Sequence, residues 1–205
     1  MPIKAVVFDI GGVLEFNPDT GWRQKWDKRL GLSLSDAFQQ LASTGRDGSL
    51  GTCTEVEWQD GLREVTGMDQ AQVDEFMADL WEEYVGTLNV ELAKFFGSLR
   101  PRYKTAILSN SFLGARKKEQ DLYGFEEMTD LIIYSHEVGL AKPDRRIYAL
   151  TCDRLGVQPQ EVVFLDDVEA NITAAQAFGI HGVRFKETSQ AIEDVRAQLQ
   201  MNGAG

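Results

Sequence analysis

The stretch Val6-Val7-Phe8-Asp9-Ile10-Gly11-Gly12-Val13-Leu14 decides the fold. A short apolar run ends at one carboxylate, Asp9, and two glycines follow before apolar residues resume. An unbroken run of this length suits a strand buried on both faces of a parallel sheet. A lone carboxylate past such a strand must be solvated, paired or bound to a metal, because burying it alone is costly. Gly11 and Gly12 let bare backbone approach a ligand and offer N–H groups to phosphate oxygens. A turn cap accounts for Asp before Gly-Gly equally well, so the reading depends on what the rest of the chain sets beside it.

Working outward, residues 4–9, 104–109, 131–134, 162–165 and 182–185 are five such runs. Helical patterns over 144–155 and 169–178 stop at Gly156 and Gly179, where a left-handed helix end is expected. Strand alternating with helix implies right-handed crossovers and a Rossmann-like open parallel sheet of about five strands, covered by helices on both faces. From 15 to 85 the rhythm breaks: no strand pattern is visible, and Thr54 with Glu57 and Asp69 with Gln72 read as capping boxes. Trp22, Trp26, Trp58 and Trp81 fall here and read as the core of a small helical bundle. The expected division is an α/β core over 1–14 and 86–205 with an all-helical cap over 15–85. An insertion directly after a strand's carboxyl end sits over the ligand crevice, as a lid would.

The 205 residues include 21 Lys plus Arg and 32 Asp plus Glu, a net charge of −11. With 43% hydrophobic residues the chain is neither disordered nor fibrous. The acidic balance argues against nucleic acid and against anionic membranes. It leaves open a phosphorylated small molecule, since a bound metal reverses the local sign. Cys53 and Cys152 form no disulfide framework or metal spacing. The start, Lys4 and a short run interrupted by Asp9, is unlike a signal peptide, and nothing approaches a membrane span. A cytoplasmic monomer or homodimer is the expectation.

Three further strand ends carry polar groups. Ser109 and Asn110 close one; short hydroxyl and amide groups there can donate to an oxyanion or simply cap a helix. Lys142 precedes Pro143 and so lies in extended backbone. Asp166 and Asp167 end another strand, with Asn171 one helical turn later. Two adjacent carboxylates repel and need a cation, either Lys142 or a divalent metal. Hard oxygen ligands without nearby His or Cys select Mg²⁺. In one parallel sheet, Asp9, Ser109, Lys142, Asp166 and Asp167 meet at the carboxyl edge, a site for a phosphoryl group in which one carboxylate attacks phosphorus.

The ordered motifs FDIGGVL, LSN, AKPD and FLDD resemble those of the haloacid dehalogenase-like hydrolase superfamily, over the whole chain. The helical insertion is similar to its helical cap, and the paired-Asp ending to the sugar-phosphate and soluble-epoxide-hydrolase-type phosphatases. The resemblance implies that Asp9 is the nucleophile, forming an aspartyl-phosphate on a small phosphorylated metabolite. It implies that Ser109, the Asn110 backbone and Lys142 hold phosphate, and that Asp9, the Gly11 carbonyl and Asp167 bind Mg²⁺. Asp166 then orients Lys142 or a metal-bound water, with Asn171 behind it.

One position departs from that pattern. Phosphatases of the superfamily carry an acid/base Asp two residues after the nucleophile, where this chain has Gly11. Glu15, Asn17 or a cap residue is a possible substitute. The gap leaves two alternatives: a weak or silent metal-binding protein acting through its surface, and a metal-independent haloacid dehalogenase. A signalling receiver domain, with its Asp pair on the first strand, is rejected by the motif order. Phe16, Trp22, Arg23, Arg46 and Trp58 are candidates to face the crevice, His136 and His181 read as hydrogen-bonded loop residues, and residues 116–120 read as a solvated helix face.

Overall fold

The computed structural model describes residues 1–201; the last four residues of the expected core segment lie outside the described residues. In chain order, strand β1 (Ala5–Phe8) and a two-residue strand β2 (Glu15–Phe16) precede helices α1 (Trp22–Leu30), α2 (Leu34–Ser43), α3 (Glu55–Thr66) and α4 (Gln70–Val85). Strand β3 (Thr87–Leu88) and α5 (Val90–Ser98) lead to β4 (Lys104–Ser109), α6 (Ala115–Tyr123), α7 (Phe125–Met128) and β5 (Leu131–Tyr134). Then come α8 (Ser135–Val138), α9 (Arg145–Leu155), β6 (Val162–Asp166), α10 (Glu169–Phe178), β7 (His181–Arg184) and α11 (Thr188–Met201).

The main sheet is wholly parallel, in the order β5-β4-β1-β6-β7. Its strands lack polar alternation because both faces are covered. Val6 and Phe8 pack with Phe96 of α5 and Val195 of α11, whereas Ala5 and Val7 pack with Tyr148 of α9 and Ala175 of α10. Each face is therefore a dry helix-on-sheet layer, and hydrophobic burial stabilises both. The glycine stops fall where expected, Gly156 at φ 64° and Gly179 at φ 104°. Because β1 lies between β4 and β6, the chain's two winding directions diverge at its carboxyl end, which opens the crevice there.

The segment after β1 has its own core. Phe76 of α4, fully buried, meets Trp22 edge-on at 5.2 Å and Trp26 at 5.4 Å between ring centroids, with Trp58 and Leu62 of α3 beside it. Both capping boxes form. Trp81 is only partly buried and stands edge-on to Tyr84. The one departure from an all-helical segment is β2, which pairs antiparallel with β3, Glu15 opposite Leu88 and Phe16 opposite Thr87. A two-residue ribbon is too short to show alternation in a sequence, and it ties both ends of the insertion together. Among the described residues no helix is long and apolar enough to cross a membrane.

Candidate active site at the carboxyl edge of the sheet

Parallel pairing puts the carboxyl ends of β1, β4 and β6 side by side, and the polar residues there follow. Asp9 leaves β1, Ser109 ends β4, and Asp166 ends β6 with Asp167 next. Lys142 reaches in from the loop before α9. Its ammonium lies 2.7 Å from Asp9 Oδ1 and 2.8 Å from Asp166 Oδ2, and its side chain is 1% exposed. Carboxylate oxygens of Asp9, Asp166 and Asp167 lie within 4.8 Å of one another.

Each member is held by backbone or amide groups. Asn110 grips the main chain of Lys142 at both ends: the Lys142 N–H donates to Asn110 Oδ1 and Asn110 Nδ2 donates to the Lys142 carbonyl, each at 2.8 Å. Asn171 Nδ2 donates to both oxygens of Asp166, at 3.0 and 3.1 Å, and the Val168 N–H donates to Oδ1 at 2.8 Å. The Ile10 N–H donates to Asp9 Oδ1 at 2.8 Å. The Asn110 amide thus holds the Lys142 backbone with one of its two N–H donors and its oxygen. Ser109 is buried, and its hydroxyl makes only a long 3.4 Å contact to the Asn110 carbonyl.

The glycine pair divides in role. Gly12 sits at φ 71°, and a Cβ there would lie 2.6 Å from an Asp167 oxygen, so only glycine allows that carboxylate to close on the loop. Its N–H, expected from the sequence to be offered to phosphate, donates here to Asn17 Oδ1 at 3.0 Å. Asn17 Nδ2 in turn donates to the Tyr84 and Glu83 carbonyls at the end of α4, tying the loop to the insertion. Gly11 has no positive φ, and a Cβ would meet only Asn17 Oδ1, at 3.4 Å. Nothing steric excludes a side chain there.

Burial pushes the Asp9 carboxyl up to about 7; Lys142 opposes this and the neighbouring Asp166 adds to it. Burial, then repulsion from Asp166, also raises Asp167. Three carboxylates facing one ammonium leave an excess negative charge of two when all are ionised. A divalent cation held by oxygen ligands fits that donor set and that imbalance.

Two openings meet at this edge. A cleft of about 500 Å³ is bordered by Asp9, Lys142, Asp167 and Asn171, with exposed Phe16 and Val168 at its mouth. A cavity of about 540 Å³ lies between the edge and the helical insertion, bordered by Trp22, Arg23, Arg46 and Trp58 among others. Gly11, Asn17 and Asn110 border both, so the two adjoin there. So four of the five crevice candidates face the cavity, and Phe16 faces the cleft. His181 contacts the Gln160 carbonyl at 3.1 Å, and His136 Nδ1 contacts Ser111 Oγ at 2.6 Å.

The expectation for residues 116–120 fails at Glu119. That residue is 1% exposed, accepts a hydrogen bond from the Tyr134 hydroxyl at 2.5 Å and borders the cavity; burial pushes its carboxyl up to about 7. Ala115, Glu119 and Tyr123 recur at four-residue spacing and form the inward stripe of α6. That spacing was the available signal, masked by the charged residues between them. Glu15 also borders the cavity and is 1% exposed. Burial raises it to about 10, with repulsion from Glu119 and then Asp9 adding to the shift.

A family model for haloacid dehalogenase-like hydrolases matches residues 3–179. Acyl-CoA dehydrogenase family member 10 of Mus musculus is 28% identical over 96% of this chain, which covers 19% of that longer protein. The (S)-2-haloacid dehalogenase 1 of Pseudomonas sp. (strain CBS-3) is 30% identical over 94% of this chain and 88% of its own length. A solved HAD family enzyme from Bacteroides thetaiotaomicron, in complex with magnesium and inorganic phosphate, is similar in fold, with a TM-score of 0.70 at 24% identity over 90% of this chain and 94% of that one. The order of motifs, the parallel sheet and the family match agree: the chain belongs to the haloacid dehalogenase-like hydrolase family.

Proposed function

We propose that this chain is a Mg²⁺-dependent hydrolase of small phosphomonoesters. The observation that carries the reading is Lys142 joined to both Asp9 and Asp166, with Asp167 in the same carboxylate group. The related fold that holds magnesium and inorganic phosphate supports it. Asp9, the Gly11 carbonyl and Asp167 would hold the ion, which would neutralise phosphate oxygens as charge moves onto them.

Asp9 attacks phosphorus, a bond from its oxygen to phosphorus forms, and the bond to the alcohol oxygen breaks with its electron pair on that oxygen. Lys142 and Ser109 hold the equatorial oxygens, and the Asn110 clamp keeps the Lys142 backbone fixed while this happens. Water then attacks the phosphorus of the aspartyl-phosphate, releasing phosphate and restoring Asp9. With Gly11 at the acid/base position, the leaving alcohol takes its proton from elsewhere, so good leaving groups are favoured. The insertion serves as the lid over this chemistry.

A second reading, a haloacid dehalogenase in which Asp9 attacks carbon, is favoured by the Pseudomonas relative and by Gly11. The test is turnover of an aryl phosphate with Mg²⁺ and with EDTA, beside a 2-haloacid in EDTA. Metal-dependent phosphate release that Asp9→Asn abolishes supports the proposal. Halide release in EDTA without phosphate release overturns it.

A further inference from the structure

Between the phosphoryl edge and the insertion, the 540 Å³ cavity has a wall that the mechanism above leaves unused. Trp22, Phe38, Trp58 and Phe112 present aromatic surface to it, and Glu15 and Glu119 lie on its sheet side. Among the described residues, neither oxygen of Glu15 has a hydrogen-bond partner, although the side chain is buried. Such an orphaned carboxyl is rare and costly, and it marks a place where a ligand atom completes the pairing.

The other acidic groups on this wall are answered. Glu83 accepts from the Thr20 N–H at 2.9 Å and its hydroxyl at 2.7 Å. Asp47 accepts from the Ser49 N–H at 2.9 Å and its hydroxyl at 2.6 Å. Arg46 pairs with Glu64 at 2.6 Å, and Arg23 stacks over the Trp22 ring at 4.6 Å. Glu119 has the neutral Tyr134 hydroxyl on one oxygen. Among the described residues no cation forms an ion pair with Glu15 or Glu119: Lys142 is spent on Asp9 and Asp166, and Arg116, whose charge is felt by Glu119, pairs with Glu126 and Glu137. An unpartnered Glu15 carboxyl with Glu119 on the same wall, in a cavity walled by ring faces, is complementary to a cation that brings several donors. A hydroxyl supplies one donor and no charge.

We propose that the cavity takes the alcohol part of the substrate by a terminal ammonium group, paired with Glu15 and Glu119, so that the substrate class is an amine-bearing phosphomonoester. The cavity and the Asp9 cleft adjoin at Gly11, Asn17 and Asn110, and the proposed ligand lies across that shared border, from the carboxyl pair to the phosphoryl site. The inference rests on the phosphomonoesterase reading for the identity of the other end of the ligand.

Calorimetric titration of the full chain in Mg²⁺ tests it, with ω-aminoalkylphosphonates of two to six carbons against alkyl- and ω-hydroxyalkylphosphonates of equal length. The best amino compound is expected to bind at least about tenfold tighter than both counterparts, the scale of a charge-assisted pair. Glu15→Gln should bring the amino-to-alkyl ratio to within about threefold, while Glu15→Asp retains part of it; thermal unfolding verifies that each variant is folded. Equal binding of amino and alkyl compounds by the wild-type chain overturns the proposal whatever the variants do. Tighter binding of the hydroxyl series, or a preference that survives in folded Glu15→Gln, overturns it too. Aryl phosphate turnover is scored separately, so failure of the phosphatase reading is distinct from failure of the ammonium site.

Discussion

The carboxyl edge of the sheet and the wall of the helical insertion are built on opposite principles. At the edge, short polar side chains sit at strand ends whose backbone is already fixed by the sheet, and nearly every one has a partner: Lys142 between two carboxylates, Asn110 on Lys142, Asn171 on Asp166. Across the cavity the side chains are large, aromatic and mostly helix-borne, and Glu15 below them has no hydrogen-bond partner among the described residues. On the proposed function, the difference separates two tasks. A phosphoryl transfer site works by pre-positioned charge and tolerates little movement. A site that chooses a leaving group works by shape and by pairing left for the ligand to complete.

Removing the ammonium at the edge should have the largest effect. Lys142→Met is expected to lower aryl phosphate turnover at least about 10²–10³-fold, since it removes both the proposed phosphate contact and the charge between two buried carboxylates. Turnover within tenfold of wild type would break the contrast, because the edge would then not depend on its fixed cation.

On the other side, Phe76→Ala removes the ring about which Trp22 and Trp26 pack, and should cost about 3–5 kcal/mol. The loss should be local: hydrogen exchange is expected to quicken through residues 22–85 while β1, β4 and β6 keep their protection. Equal loss in both regions would mean that the insertion and the sheet unfold as one unit.

Glu119 gives the smallest effect and a signed one. Its carboxyl is raised from its ordinary value to about 7, mainly by burial, so above the unfolded value the native state binds more protons than the unfolded chain. Stability therefore falls as pH rises from about 4.5 towards 7 and levels off above that. Glu119→Gln removes this term while keeping an acceptor for Tyr134. Relative to wild type, the variant should gain about 5–10 °C in melting temperature between pH 5 and pH 8. No change in that difference would place Glu119 in contact with solvent.

The same contrast explains what could be read from the chain alone. Strand ends are local: an apolar run, a polar residue and a parallel sheet suffice to bring Asp9, Ser109 and the Asp166–Asp167 pair to one edge. Partners set by tertiary geometry were not legible. Nothing local says that the Asn110 amide turns to the Lys142 backbone, that the Gly12 N–H goes to Asn17, or that Glu119 faces inward among charged neighbours. The β2–β3 ribbon was invisible for the same reason, since two residues carry no period and their pairing spans the whole insertion.

Acid-quenched mass spectrometry of the chain mixed with Mg²⁺ and an aryl phosphate, under single-turnover conditions, addresses the proposed nucleophile most directly. The account predicts a phosphorylated peptide whose modification maps to Asp9 and whose decay matches phosphate release. Phosphate release with Asp9 unmodified at every time point, and undiminished in Asp9→Asn, would contradict it.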